Sequence, residues 1–86
     1  MYYIDPMPVF DMPEAEMVDQ HLPPSAEDEV QRGFVLLRCD TEFSVWAAEV
    51  IIIDGEPWVI VGDRSAETFD NVQDARAHFR NRAGVM

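Results

Sequence analysis

Two apolar runs that meet at an Asp-Gly pair decide the fold of this chain: Val50-Ile51-Ile52-Ile53-Asp54-Gly55-Glu56-Pro57-Trp58-Val59-Ile60-Val61. A two-residue type I′ turn needs positive φ at both central residues, and an Asp-Gly pair adopts that conformation readily. The turn predicts an antiparallel hairpin with three opposed pairs: Ile51 with Trp58, Val50 with Val59 and Glu49 with Ile60. Pro57 is compatible with a strand start because its missing N–H need not face a neighbouring strand.

Both faces of this hairpin are apolar. Since successive side chains of a strand alternate between faces, one face carries Phe43, Val45, Ile51, Ile53, Trp58 and Ile60. The other face carries Trp46, Val50, Ile52, Val59 and Val61. A hairpin that is apolar on both sides needs cover on both sides. We therefore expect it at the centre of the fold.

The residues around the hairpin predict more strands and one helix. The strands are expected near 33–39, 43–53, 57–62 and 66–69. Asp70, followed three residues later by Gln73, is typical of a capping box, and apolar residues recur behind it at helical spacing. We expect this helix near 71–82, with Gly84 ending it. The sequence thus predicts an α+β fold, in which a three- to four-stranded antiparallel sheet is packed by a C-terminal helix.

The N-terminal third has a different composition. Residues 1–31 hold eight carboxylates, five of the six prolines and no Lys or Arg. Pro13 is typical of a first helical position, and Pro23-Pro24 would end that helix. A second short helix is expected from Ser25, with Asp28 three residues later, to Gly33. We expect residues 1–32 to form an acidic, Pro-rich region of short helices and irregular chain, and residues 33–86 to form the sheet and helix of one compact domain.

The charge restricts the classes of partner. Seventeen acids oppose six bases, all of them Arg, which gives a net charge of −11. Nucleic acid and anionic membranes would repel such a chain, whereas a basic protein surface would attract it. Cys39 is the only cysteine, so no internal disulfide forms and a reducing cytoplasm is expected. We see no secretory signal and no apolar run long enough for a membrane helix.

Catalytic and metal-binding interpretations remain minor alternatives. Cys39 with His21 or His78 as a base, or all three as zinc ligands, would require contacts that spacing does not indicate. Asp54, Glu56 and Asp63 could form an oxygen-rich cation site, but they do not match an EF-hand loop. We expect Cys39 to be a small core side chain. The chain is accordingly predicted not to be an enzyme and to need no cofactor or metal.

Two residues of the hairpin admit two interpretations each. Glu49 interrupts an apolar face, and we expect it to pair with Arg76 or Arg80 of the covering helix, or else to serve a binding surface. Trp46 is expected in the core. If the second face were incompletely covered, Trp46 would become an exposed anchor for a partner or a second copy.

A strand, a cap and a helix follow one another in the segment Glu67-Thr68-Phe69-Asp70-Asn71-Val72-Gln73-Asp74-Ala75-Arg76-Ala77-His78-Phe79. This segment, 13 of 86 residues, resembles a strand-cap-helix motif that is found in many small sheet-plus-helix modules. Some anti-CRISPR proteins of phages carry a similar motif after an antiparallel meander. The small size, strong acidity and absence of Lys also look like those inhibitors. The resemblance implies stoichiometric binding to a basic surface of a CRISPR effector complex in the cytoplasm of a bacterial host cell, often blocking target DNA; it supplies no catalytic residues.

The residues predict the same class of action independently. Carboxylates two apart on one face of a strand are about 6.7 Å apart, and a groove that normally holds phosphates would accept such a row of charge. We predict partner-binding carboxylates and apolar anchors at Asp11, Glu14, Glu16, Asp19, Glu27, Asp28, Glu29, Tyr2, Tyr3 and Phe10. The alternative is a small self-associating interaction or accessory module of phage or plasmid origin with no inhibitory role. Either a monomer or a homodimer is compatible with the sequence.

Overall fold

In the part of the chain that the structure describes, the fold is a four-stranded antiparallel sheet with one helix packed on it. A computed structural model describes residues 7–25, 27 and 30–84. The strands lie in the order β1-β2-β3-β4. The elements are β1 (Glu16–His21), β2 (Arg32–Cys39), β3 (Glu42–Ile53), β4 (Glu56–Phe69) and α1 (Val72–Ala83). The predicted antiparallel sheet and C-terminal helix are confirmed.

The central hairpin has the predicted turn and register. Asp54 and Gly55 have φ values of 51° and 81°, as a type I′ turn requires. Ile53 pairs with Glu56, and Ile51 pairs with Trp58. The turn chemistry therefore fixes which side chains of β3 and β4 share a face.

The fourth strand is longer than the sequence predicted. The two strands expected at 57–62 and 66–69 are one element, because β4 runs from Glu56 to Phe69. Its pairing with β3 shifts register on both sides of Trp46, which lies opposite Arg64. Such bulges let a strand continue through a stretch whose composition resembles a turn, here Gly62 and the charged residues after it.

The N-cap of α1 lies one residue later in the chain than predicted. Asn71, not Asp70, is the N-cap, and its side chain accepts hydrogen bonds from the backbone N–H of Gln73 and Asp74. Asn and Asp are almost equally good caps, so the sequence located the start of α1 only to within a residue. Gly84 ends α1 in the left-handed conformation, with φ 72°.

The N-terminal region differs from its prediction. The helix expected between Pro13 and Pro23-Pro24 is wrong, because residues 16–21 form β1, which pairs with β2. Pairing with β1 satisfies the backbone N–H and C=O groups at the edge of β2, which a short helix would leave without partners. This tertiary contact overrides the local preference for a helix. The second helix, from Ser25 to Gly33, falls partly on Ala26, Asp28 and Glu29, which lie outside the described residues, and its last two residues belong to β2.

Two clusters of buried side chains lie on opposite faces of the sheet. The helix cluster lies under α1 and comprises Leu36, Val45, Ala75 and Phe79, with Val18, Phe34, Phe43 and Phe69 packed against it. The arm cluster lies on the other face and comprises Met7, Val9, Leu22, Val35, Leu37, Ala48 and Val59. Trp46, Met12, Ala15 and Met17 pack against the arm cluster, so residues 7–15 cover the second face.

The chain before β1 also bonds to the edge of β4. The N–H of Val59 donates to the carbonyl of Pro8 at 2.9 Å, and the N–H of Phe10 donates to the carbonyl of Val59 at 2.8 Å. Val9 thereby forms a parallel bridge with Val59. The chain then passes through Asp11, at φ 64°, and crosses the arm-cluster face to reach β1 at the opposite edge.

Candidate functional site

Four carboxylates meet at one end of the sheet. We call Glu14, Asp40, Glu42 and Asp70 the acidic end. The antiparallel registers bring together the start of β1, the turn between β2 and β3, and the end of β4, because Glu16 pairs with Arg38, Cys39 with Glu42, and Phe43 with Phe69. The first turn of α1, with Asp74, follows directly from the same end.

The thiol of Cys39 is influenced by this concentration of charge. Its pKa is raised above the ordinary value of 9.0, first by burial and then by the negative charges of Glu14, Asp40 and Glu42. Nucleophilic cysteines need the opposite shift, because the thiolate is the reactive form. The environment of Cys39 therefore does not favour a nucleophile.

A polar cleft opens at the acidic end. Its volume is about 390 Å³, and it is lined by Thr41, Glu42, Thr68, Phe69 and Asp70. Carboxylates can pair with a guanidinium or ammonium group, and an aromatic ring can stack against a guanidinium. The cleft is thus chemically suited to an arginine or lysine side chain of another protein.

Several other carboxylates neutralise cations within the fold. Asp19 lies 3.2 Å from Arg76 of α1, Glu49 lies 3.8 Å from Arg32, and Glu16 pairs with Arg38. At the acidic end, Glu42 lies 3.8 Å from Arg64. Among the residues that the structure describes, this is the one ion pair made by the acidic end, so the end keeps a local excess of negative charge.

The predicted partner-binding residues do not all come together. Glu14 lies in the acidic end, whereas Glu16 and Asp19 are held in cross-strand and helix ion pairs. Glu27 lies in the loop at the other end of β1. Asp11 and Phe10 lie at the edge of β4, where the ring of Phe10 packs edge-on against Trp58 with centroids 6.1 Å apart. Tyr2, Tyr3, Asp28 and Glu29 lie outside the described residues.

The sequence reasoning missed three members of the acidic end. Asp40 and Glu42 lie between the strands expected at 33–39 and 43–53, and Asp70 is the expected helix cap, so all three are far from Glu14 in the chain. The turn after Cys39 was visible in the sequence, but its closeness to Glu14 depends on β1, which had been predicted as helix. A correct assignment of β1 was therefore the missing signal.

Two single-residue predictions also change. Glu49 pairs with Arg32 of β2 rather than with Arg76 or Arg80, because the directly opposed residue of the neighbouring strand is closer than the helix. Trp46 packs against the arm cluster, and its indole N–H donates to Ser44 Oγ at 2.8 Å. The core interpretation of Trp46 is the one that the packing favours.

Ser65, His78 and Glu67 form a contact chain that resembles a catalytic triad. Ser65 Oγ lies 2.8 Å from His78 Nε2, and His78 Nδ1 lies 3.7 Å from a Glu67 carboxylate oxygen. A triad serine must present its oxygen to a substrate, but Ser65 is 8% exposed and faces α1. The geometry favours a structural role for this trio, which ties α1 to β4.

The described residues contain neither a metal-binding cluster nor a membrane-spanning helix. Within residues 7–25, 27 and 30–84, no group of three or more His, Cys, Asp or Glu side chains is arranged to hold a metal ion. His21 and Cys39 lie at opposite ends of β2 by register. No helix in the described part of the chain is long and apolar enough to cross a membrane.

Comparison with protein-family models, with curated protein sequences and with solved structures gives no significant match.

Proposed function

We propose that this protein is a non-catalytic inhibitor that binds, through its acidic end, the basic nucleic-acid-binding surface of another protein. We propose further that this partner is a CRISPR effector complex. The class of partner follows from charge and surface chemistry, and the particular partner follows from the resemblance of the segment 67–79 to anti-CRISPR proteins.

Four carboxylates at one end of the sheet carry this proposal, and two of them, Glu42 and Asp70, line the cleft. Glu42 lies 3.8 Å from Arg64, and among the described residues this is the one ion pair that the four carboxylates of the acidic end make. Like charges held close together oppose folding. A fold that keeps this excess of negative charge gains from a basic partner. A groove whose Arg and Lys side chains normally hold phosphates offers the complementary charge.

The action on the partner follows from occupancy of that groove. Carboxylates that occupy the phosphate sites exclude nucleic acid without any chemical step. Association is accelerated by the opposite charges of the two surfaces and weakens as salt screens them, over about 8–10 Å near physiological ionic strength. Both features distinguish charge-driven recognition from a purely apolar contact.

The test is competition with target DNA. Fluorescence anisotropy would follow binding of labelled target DNA by a panel of CRISPR effector complexes in the presence of the protein. We expect at least one effector to lose DNA binding stoichiometrically. The variant Glu14→Gln/Asp40→Asn/Glu42→Gln/Asp70→Asn should inhibit roughly 4- to 700-fold more weakly, because four lost charge contacts are together worth ~0.8–4 kcal/mol and ~1.4 kcal/mol is a factor of ten.

A matched control removes the same number of charges elsewhere. The variant Asp11→Asn/Glu27→Gln/Asp54→Asn/Asp63→Asn has the same net charge as the acidic-end variant and leaves the acidic end intact. It should inhibit nearly as well as the natural chain. The proposal fails if no effector is inhibited, or if the control loses as much inhibition as the acidic-end variant.

A further inference from the structure

The chain before β1 is attached to the sheet mainly by apolar side chains. We call residues 7–15 the arm. Within the described residues, two backbone hydrogen bonds join the arm to the sheet, and both are made at Val59. The rest of the attachment is packing in or against the arm cluster, by Met7, Val9, Met12 and Ala15. Apolar contacts are therefore the larger part of what holds the arm in place.

Methionine supplies the part of this packing that oxidation can change. Met7 is 5% exposed, whereas Met12 of the arm and Met17 of β1 are partly exposed. All three pack in or against the arm cluster, where flexible thioether side chains fill irregular gaps. A small oxidant such as hydrogen peroxide can reach the two that are partly exposed.

The oxidation is a two-electron step. The thioether sulfur attacks one oxygen of hydrogen peroxide with an electron pair, so that an S–O bond forms and the O–O bond breaks. The other oxygen leaves as water after taking the hydrogen of the transferred hydroxyl group, and a sulfoxide remains. Against the apolar side chains of the arm cluster, the sulfoxide oxygen would lose water and gain no hydrogen-bond donor, which opposes docking of the arm.

The docked arm also contains a strained residue. Asp11 has φ 64°, in the left-handed region that residues other than glycine adopt infrequently. Release of the arm would relax this conformation. The strain at Asp11 thus favours release once the apolar contacts of the arm are weakened.

We propose that the arm is an oxidation-sensitive switch, in which peroxide converts Met12 and Met17 to sulfoxides and thereby releases residues 7–15 from the sheet. Reduction of the sulfoxides restores the docked arm. Release withdraws Glu14 from the acidic end, because Glu14 belongs to the arm. The consequence for partner binding rests on the proposed function, whereas the release itself does not.

Two kinds of side chain report the release without any partner. Trp46 packs against the arm cluster, and Trp58 contacts the ring of Phe10 with centroids 6.1 Å apart, so release exposes both indoles to water and shifts their emission to the red. Burial and, next, the negative charge of Glu14 raise the pKa of the Cys39 thiol. Departure of the arm therefore increases the fraction of thiolate at Cys39.

Peroxide treatment of the full chain tests the switch. Catalase then removes the peroxide, and dithiothreitol, itself removed afterwards, reduces any oxidised Cys39 and leaves the sulfoxides. Peptide mapping should show oxygen added at Met12 and Met17 before Met7. We expect a red shift of tryptophan emission and a reaction of Cys39 with iodoacetamide that is about twofold faster or more. Methionine sulfoxide reductase should reverse both changes.

Three variants separate the switch from general damage. Met12→Leu/Met17→Leu conserves the side-chain volumes and forms no sulfoxide, so its arm should stay docked in peroxide. Met7→Leu is the matched control, because it removes the buried methionine and keeps the two partly exposed ones; it should respond as the natural chain does. Met12→Gln/Met17→Gln places polar groups at the same positions and should release the arm without peroxide.

Four results would overturn the inference. Met12 and Met17 could stay reduced in peroxide, or become sulfoxides while neither readout changes. The Met12→Leu/Met17→Leu variant could respond as strongly as the natural chain. The circular dichroism of the sheet and helix could be lost on oxidation, which would indicate unfolding of the whole domain rather than release of the arm.

Inhibition is measured separately, in the competition assay with target DNA. The oxidised protein should inhibit up to roughly fivefold more weakly, which is the effect of losing one charge contact. A released arm with undiminished inhibition would contradict the contribution of Glu14 to the proposed function and would leave the switch standing.

Discussion

The two faces of the sheet differ in how far their cover extends. On the arm-cluster face, residues 7–15 cross the sheet from β4 to β1, and Val35, Leu37 and Val59 are fully buried. On the helix-side face, α1 buries Leu36 and Val45 but stops before the hairpin. The irregular segment crosses all four strands from one edge of the sheet to the other. A helix of 12 residues is much shorter than β3 or β4, which have 12 and 14 residues, because a strand rises further per residue. Beyond the end of α1, Ile51, Ile53, Trp58 and Ile60 on this face are only partly buried by the residues that the structure describes.

The largest expected loss of stability comes from shortening a side chain that α1 buries. Leu36→Ala should lower the free energy of unfolding by about 2–5 kcal/mol, because it leaves a cavity under α1. Ile60→Ala, in β4 beyond the end of α1, should cost about 1 kcal/mol or less, because the Ile60 side chain is already partly hydrated. Urea unfolding at low protein concentration measures both. Equal losses would mean that the two halves are equally well packed.

A smaller loss of stability is expected where the backbones of β1 and β2 approach each other at Gly33. A Cβ at Gly33 would lie 2.0 Å from the backbone oxygen of His21, so Gly33→Ala must displace β1 and should cost about 2 kcal/mol or more. Gly62→Ala in β4 is the matched control, because the atom nearest to an added Cβ there is 3.8 Å away. Its effect on the free energy of unfolding should lie between no change and a gain of about 1 kcal/mol. Amide exchange should show faster exchange in β1 only for Gly33→Ala. Tolerance of Ala at Gly33 would contradict the close approach.

The smallest change in stability concerns the cap of α1. Asn71→Ala should cost about 1 kcal/mol, because two backbone N–H groups lose their acceptor. Asp70→Ala should cost far less, since Asp70 is not the N-cap. Thermal unfolding distinguishes the two variants, and amide exchange should place the loosening in α1 and the helix cluster rather than the arm cluster. A larger loss of stability for Asp70→Ala than for Asn71→Ala would mean that Asp70 is the N-cap, as the sequence predicted.

The sequence was most informative where local chemistry determines structure. The Asp54-Gly55 turn requires one backbone conformation, and it fixed the register of β3 and β4 and both of their faces. The merging of two predicted strands into β4 escaped prediction because the irregular stretch on both sides of Arg64, where the register shifts twice, looks like a turn when its partner strand is not known. β1 escaped because its six residues are stabilised by pairing with β2, which is a tertiary effect.

The candidate site was harder to predict than the fold. Glu14 was recognised, but the other members of the acidic end come from separate loops whose meeting depends on β1. Nor did the sequence show that Glu16 and Asp19 are held in ion pairs with Arg38 and Arg76. Composition predicted an acidic protein, and only the strand pairing shows where the unneutralised charge is concentrated.

The most direct test of the central claim, that the acidic end holds charge at the expense of stability, is thermal unfolding as a function of salt. From about 20 to about 300 mM NaCl the screening length falls from roughly 20 Å to roughly 6 Å. We expect the melting temperature of the natural chain to rise by several degrees, since ~1 kcal/mol corresponds to about 4–8 °C for a domain of this size. The acidic-end variant should melt at a higher temperature in low salt and respond less to NaCl. A melting temperature that falls as salt rises, or a variant with no gain over the Asp11→Asn/Glu27→Gln/Asp54→Asn/Asp63→Asn control, would contradict the claim.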